Sequence, residues 1–308
     1  MKPQKLRDFA KVYVPSEENQ RQLPEKKIVL TPEEMAVLPA NKQKIGDVVI
    51  VSVPPELAGK KTEIAELLLK MDSKTRLVLN DLGIEGQFRV PNREIIGRRT
   101  DSGSADLGTR AETETEIETE TVHLENGCRF KLDVAQIMFS KGNLDEKRRI
   151  SKLCAGETVV DMFAGIGYFS VPIAVHSRPE KVISIELNPV SYHYLCENCR
   201  LNRIEKIVEP ILGDCGTVTP KGVADRVLMG YVGTTHLYLT AGISAVKKEG
   251  GIIHYHETVP EKLYPERPVQ RILGAAAECG RIATILETRV IKKYSPGVLH
   301  VVVDAKIG

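Results

Sequence analysis

Three acidic residues, Asp161, Glu186 and Asp214, close successive apolar runs, Thr158-Val-Val-Asp161, Ile183-Ser-Ile-Glu186 and Pro210-Ile-Leu-Gly-Asp214. Runs of this kind read as buried strands, and in a parallel sheet their carboxyl ends open onto one crevice where ligands bind. The first acid leads into Met162-Phe-Ala-Gly-Ile-Gly167, whose two glycines let backbone approach a ligand at the turn into a helix. Glu186 stands where a carboxylate accepts both hydroxyls of a ribose. The polar turn Leu212-Gly-Asp-Cys215 suits an adenine amino group and its ring edge. A pair of glycines often ends a strand for conformational reasons alone. Polar residues at the ends of three neighbouring strands instead favour a nucleoside site.

Two cofactors compete for such a site. A nicotinamide dinucleotide uses the fingerprint G-x-G-x-x-G, with a helix N-terminus facing the pyrophosphate. Here Ser170 holds the third glycine position and Asp161 adds negative charge nearby. A cationic sulfonium tolerates that acid better, so the expected cofactor is S-adenosyl-L-methionine.

A crevice of this kind must be built from alternating strands and helices. Strands are expected at residues 158–161, 181–186, a segment ending near 214, then 224–232, 251–257, 282–292 and 298–304. Helices are expected from residue 168 and over 189–202, 234–248 and 268–279. Alternation of β and α implies a parallel sheet, whereas the last two strands, joined through Ser295-Pro-Gly297, should form an antiparallel edge hairpin. The expected class is α/β: a Rossmann-like class I S-adenosylmethionine-dependent transferase domain with a seven-stranded, mostly parallel sheet over residues 140–308. A smaller N-terminal α+β domain should occupy 46–139, preceded by an extension over 1–45.

The extension is polar and carries Pro3, Pro15, Pro24, Pro32 and Pro39, which discourage long elements. Thr31-Pro-Glu-Glu34 marks one short helix by its cap and its proline at the first position. Residues 48–53 read as a strand ended by Pro54-Pro55, residues 63–71 as a helix with Ile64, Leu67, Leu68 and Met71 on one face, and 75–79 as a further strand. Residues 97–110 read as a loop. The Thr/Glu alternation over 113–121 has period two and reads as an exposed edge strand. Its glutamates step along a straight strand and do not converge on one ion.

At 308 residues, 42% hydrophobic and 27% charged, the chain can fold around a real core. No stretch approaches the ~20 apolar residues that a bilayer demands, so a cytoplasmic protein with no membrane partner is expected. Net charge is only +2, but Lys141, Lys147, Arg148 and Arg149 cluster just before the glycine turn and offer a local basic surface. The six cysteines are scattered, and Cys196-Glu-Asn-Cys199 falls inside a helical pattern, which favours packing over metal binding. His236, His254 and His256 are expected near strand ends, in packing or RNA contact, and no metal site is expected.

Four segments, Phe139-Ser-Lys-Gly-Asn-Leu-Asp-Glu-Lys-Arg-Arg149, Asp161-Met-Phe-Ala-Gly-Ile-Gly167, Glu186-Leu-Asn-Pro189 and Asn198-Cys-Arg-Leu-Asn202, resemble those of one group of tRNA enzymes. These are the tRNA guanine-37 N1-methyltransferases and their relatives, the archaeal-type wybutosine-pathway aminocarboxypropyl transferases. The resemblance extends upstream through residues 45–89 and Gly127-Cys-Arg-Phe-Lys-Leu-Asp133. The methyltransferase branch carries an Asn-Leu-Pro or Asn-Pro-Pro motif after the fourth strand, which holds the nitrogen being methylated. Here the sequence reads Val227-Leu-Met-Gly-Tyr-Val-Gly-Thr-Thr-His236, which is similar instead to the aminocarboxypropyl branch. That resemblance implies transfer of the 3-amino-3-carboxypropyl group to C7 of the tricyclic guanosine-37 derivative, with the anticodon stem-loop of tRNA-Phe as partner. It implies cofactor binding by Ser140, Lys147, Gly165, Gly167, Glu186, Asp214 and Cys215, with Lys147 on the methionine carboxylate. Asp161 would support from behind, and Glu146 matches the proposed general base. The guanine-37 N1-methyltransferase reading and that of a non-catalytic RNA-binding protein holding the cofactor remain open alternatives.

Overall fold

The computed structural model describes residues 6–13, 30–86, 88–99, 105–106 and 118–308. The chain forms two compact units, residues 1–123 with 132–139, and residues 124–131 with 140–308.

In the first unit, helix α1 (Leu6–Tyr13) and the short α2 (Pro32–Ala36) precede strands β1 (Lys42–Ile45) and β2 (Val48–Val51). Thr31 caps α2 as its sequence suggests, accepting from the Glu34 amide while Glu34 accepts from the Thr31 amide. A crossover through α3 (Lys61–Met71) brings β3 (Leu77–Glu85) parallel to β2, and β4 (Val90–Arg99) and β5 (Ala105–Asp106) complete a sheet of order β1-β2-β3-β4-β5. Ile64, Leu67 and Leu68 of α3 are buried against Val49 and Val51. Leu6, Ala10, Leu30 and Leu38 join the same core, so stretches read from sequence as a polar extension are structural here. Their apolar residues are too widely spaced among prolines to show a period, although each is buried.

Strands β6 (Glu120–Glu125) and β7 (Cys128–Asp133) pair through Asn126 and Gly127, both at positive φ as a two-residue hairpin requires. Most of the Thr/Glu alternation and of the 97–110 loop lies outside the described residues. Its described end is anchored: the Thr121 hydroxyl donates to Asp47 at 2.7 Å.

The second unit follows the alternating pattern: α4 (Leu144–Ile150), β8 (Thr158–Asp161), α5 (Ser170–His176), β9 (Lys181–Glu186), α6 (Pro189–Asn202), β10 (Val208–Leu212), α7 (Cys215–Val218) and β11 (Arg226–Met229). It continues with α8 (Leu239–Ala245), β12 (Gly251–Pro260), α9 (Glu266–Glu278), β13 (Ala283–Ser295) and β14 (Val298–Ile307). The seven-stranded sheet has order β10-β9-β8-β11-β12-β14-β13, parallel except that β14 runs antiparallel to both neighbours. The expected terminal hairpin is present, with β13 at the edge and β14 inside it. Its core joins Val160, Val227, Ile253, Tyr255 and Val303 to Ile243 of α8 and Ile272 of α9.

One element is shorter than its sequence pattern. The helix expected over 234–248 is a 3-10 turn, Thr235–Tyr238, followed by α8, because the chain leaves the helix at Val246 to bridge Ala224 beside the sheet. Chain order reverses between β8 and β11, and a crevice opens there at the carboxyl ends of the parallel strands.

Candidate cofactor and transfer site

The turn after β8 is shaped for close approach. Gly165 and Gly167 have φ of +58° and +96°, and a Cβ on either would lie 2.6 Å from a neighbouring atom, in the Tyr168 ring or on Val171. The Gly165 amide donates to Glu186 Oε2 at 2.7 Å and the Asn188 amide to Oε1 at 2.8 Å. Each carboxylate oxygen thus keeps lone-pair capacity for a further donor, as two ribose hydroxyls would require. Burial raises the proton affinity of Glu186, and the Asn188 and Gly165 amides oppose that shift.

Asp161 lies behind this turn, fully buried, and accepts from the Ser170 hydroxyl at 2.7 Å. Ser184 donates in turn to Ser170 Oγ at 2.7 Å. Burial pushes the Asp161 carboxyl up to about 6 against the Ser170 hydrogen bond, with Glu186 adding to the rise. A cation at the turn would relieve both acids. Ser170, noted in the sequence only as the missing third glycine, is therefore the partner that keeps Asp161 in place.

Asp214 caps α7, accepting from the Gly216 amide at 2.7 Å. Cys215 beside it is buried, and burial pushes its thiol up to about 12, so it offers an uncharged wall. Ser140 caps the turn Lys141–Asn143 by accepting from the Gly142 amide at 3.3 Å.

The basic cluster differs from its expectation. Lys147 is buried with its ammonium paired to Glu125 and 5.8 Å from the centroid of the Tyr168 ring. Arg149 points inward to Glu146 and Asp304. Arg148 is half exposed, and the Lys141 side chain lies outside the described residues. Helix α4 has one inward face, so charges adjacent in sequence separate by orientation. Glu146 is 4% exposed, and both its oxygens accept from Arg149, at 2.9 and 2.6 Å.

An aromatic group at the ends of β8 and β11 was not foreseen. Phe163 stacks on Tyr231 with centroids 5.5 Å apart and planes 24° apart, and Tyr238 meets Phe163 edge-on at 5.4 Å. The signal was present, since Phe163 and Tyr231 each follow a strand end by two residues.

Of the two roles expected for the histidines, packing holds for His254 and His256, and RNA contact does not. His254 and His256 lie within β12 and are buried, His254 against Asp304 and Arg226, His256 against His300, so neither is available to RNA. The Cys196 and Cys199 pair sits on α6, with Cys199 buried. Among the described residues no group of three His, Cys, Asp or Glu could hold a metal ion. No helix among them is long and apolar enough to cross a membrane.

With this geometry established, comparison with known proteins is direct. The profile of the TRM5/TYW2 methyltransferase domain matches residues 121–283, and that of the TYW2 N-terminal domain matches 22–100. A Methanocaldococcus jannaschii protein named tRNA(Phe) (4-demethylwyosine(37)-C(7)) aminocarboxypropyltransferase is 47% identical over 265 residues, covering 86% of this chain and 96% of the relative. The crystal structure of Pyrococcus horikoshii TYW2 in complex with MeSAdo aligns with a TM-score of 0.75 at 38% identity, covering 90% of this chain and 94% of that one. The tRNA (guanine(37)-N(1))-methyltransferase Trm5b of Pyrococcus abyssi is 34% identical over 285 residues, covering 92% of this chain and 79% of the relative.

Proposed function

The chain belongs to the TRM5/TYW2 family of S-adenosylmethionine-dependent tRNA-modifying enzymes, and from that premise we propose which group it transfers and to what. It moves the 3-amino-3-carboxypropyl group of S-adenosylmethionine to C7 of the tricyclic guanosine-37 derivative of tRNA-Phe, leaving methylthioadenosine. The observation that carries this reading is the turn after β11. Met229-Gly-Tyr-Val232 stands where the resemblance leads one to expect the asparagine and proline of the methyltransferase branch, and the Tyr231 ring is stacked on Phe163. That pair offers an aromatic face to a planar tricyclic base, whereas a nitrogen-directed carboxamide would grip guanine N1.

When bound, S-adenosylmethionine supplies three activated carbons on one sulfonium, so the reaction is chosen by orientation. Glu186 accepts the ribose hydroxyls on the lone pairs left by Gly165 and Asn188, Gly165 and Gly167 admit the cofactor to the backbone, and Asp214 and Cys215 border the adenine. Asp161 contributes a buried negative field behind the sulfonium. Ser140 and Lys147 face the methionine end, with the Lys147 ammonium paired to Glu125. Glu146 is the carboxylate assigned to the proton lost from C7, its charge balanced by Arg149. Residues 46–139 are assigned to gripping the anticodon stem-loop, the protein acts in the cytoplasm, and no metal is given a role.

The test uses S-adenosylmethionine labelled separately in the methyl group and in the methionine carboxyl, with tRNA-Phe carrying the tricyclic base. The expected result is carboxyl label in the tRNA and methylthioadenosine as co-product. Methyl label alone would replace this reading with guanine-37 N1-methylation, and no label in the tRNA would leave an RNA-binding protein with a structural cofactor.

A further inference from the structure

Across the second unit runs a file of buried and half-buried ionisable side chains that the cofactor turn does not explain. Glu157 holds the Arg226 guanidinium at 2.6 and 2.8 Å, and Arg226 donates to His254 Nε2 at 2.7 Å. Because Arg226 can only donate, Nε2 must accept, so the proton of a neutral His254 sits on Nδ1 and is given to Asp304 Oδ1 at 2.6 Å. The other Asp304 oxygen accepts from Arg149 at 2.9 Å and from Arg289 at 3.0 Å. Arg149 turns its remaining N–H groups to Glu146.

With His254 neutral, the carboxylates Glu157, Asp304, Glu146 and Glu287 face the guanidiniums of Arg226, Arg149 and Arg289, four against three, with Glu287 the most exposed of the four. Asp304 is 5% exposed and Glu146 4%. Burial alone would raise the Asp304 carboxyl, yet the hydrogen bond from His254, the Arg149 charge and the Arg289 hydrogen bond hold it well below the usual carboxylate range. Arg149 is thus a shared cation. Glu146 lies on the turn of α4 that also carries Lys147, just after the Ser140–Asn143 segment, and only Arg149 ties this turn to the centre of β14 by direct charged hydrogen bonds among the contacts described above.

We propose that Asp304 is a positioning residue for the transfer: by sharing the Arg149 guanidinium with Glu146 it fixes α4 against β14, and so holds the Glu146 carboxylate and the Ser140–Lys147 segment at the cofactor turn. This rests on the transfer function proposed above for its kinetic consequence, though not for its structural one. Asp304 touches neither cofactor nor tRNA in this assignment; it acts through Arg149.

Two readouts test it on the full chain. In cofactor-free protein, Asp304→Asn should raise amide hydrogen exchange across residues 144–150 while leaving helix 189–202 unchanged. In the transfer assay the same variant should lose turnover by up to ~100-fold, the cost of ~1 Å of misplacement, while cofactor affinity falls by clearly less, because Glu186 and the glycine turn still hold the nucleoside. Combined with Glu146→Gln it should lose little beyond the Glu146→Gln single variant, because both act through one guanidinium. Asp304→Glu, which keeps the charge, should restore part of the turnover and of the α4 protection, and it serves if the asparagine variant fails to fold. Unchanged exchange over 144–150 would overturn the proposal whatever reaction the enzyme performs. Strictly additive losses in the double variant would overturn it too. Absence of any transfer by the unaltered protein would instead count against the proposed function and leave the exchange result to decide the clamp.

Discussion

Replacing Glu186 with alanine is the most direct probe of the nucleoside site. The carboxylate is held by the Gly165 and Asn188 amides at 2.7 and 2.8 Å, one to each oxygen, which fixes its plane before any ligand arrives. Two ribose hydroxyls can then bond to an acceptor that needs no reorganisation. Charge-assisted hydrogen bonds contribute roughly 1.5–3 kcal/mol each, so losing both costs about 3–6 kcal/mol. At 1.4 kcal/mol per decade this is about 10²- to 10⁴-fold in dissociation constant. Asp214→Ala would remove the contact proposed to the adenine edge and should cost about half as much. Glu186→Gln should lie close to the alanine variant, because one end of the carboxamide is an NH2 that must face the Gly165 or the Asn188 amide, donor against donor. Titration calorimetry with S-adenosylmethionine, on variants shown by thermal melting to be folded, measures all three. A Glu186→Ala dissociation constant within threefold of the unaltered protein would refute the ribose assignment.

Two further outcomes follow from the same structure. Gly167→Ala should lower the melting temperature and weaken cofactor binding, because a left-handed backbone costs an L-residue roughly 1–2 kcal/mol and the new Cβ would meet Val171 at 2.6 Å and Leu195 at 3.1 Å. Gly274→Ala on α9 is the matched control: its Cβ meets nothing within 4 Å, so melting temperature should rise slightly, and equal behaviour of the two variants would refute the argument. Burial, and then the neighbouring histidine, pushes His256 and His300 down to about 3 from an ordinary 6.5. Between those values the unfolded chain binds protons that the folded chain does not, so stability should be intact above pH 6.5 and fall as pH drops below it. Melting curves from pH 7 to 5 should show the loss, with a shallower slope in His300→Gln; an unchanged slope would place its source elsewhere.

The alternation of strands and helices in residues 158–307 was legible because β8, β9 and β11 are short, largely apolar runs, and the acids at the ends of β8 and β9 and just after β10 marked the crevice. The glycine turn was legible for the same reason: Gly165 and Gly167 have few other uses at a strand-to-helix turn. The orientation of charges on α4 was not legible. Lys147, Arg148 and Arg149 look alike in sequence, yet Lys147 meets Glu125, Arg149 meets Asp304, and Arg148 faces outward. Those partners lie 22 and 155 residues away, and no local pattern encodes such a pairing. Buried polar residues within a strand, His254 and Asp304 among them, break the apolar run that marks a core strand and so imitate a strand end. The Phe163 and Tyr231 stack was missed because each ring follows its own strand and only the β8–β11 pairing brings them together.

Strand β13 is long, lies at the sheet's edge and exposes Leu286, Val290 and Tyr294. An edge of that description is ordinarily a template on which another chain can add a strand. Its ladder with β14 slips between Ile285 and Glu287, between Val290 and Lys292, and between Lys293 and Ser295. Each slip bends the strand and puts its outward N–H and C=O groups out of step, so a straight incoming strand could match only a few residues before losing register. Lys292 and Lys293 at these interruptions add repulsion between like edges. The irregular edge therefore works against edge-to-edge joining of one sheet to another.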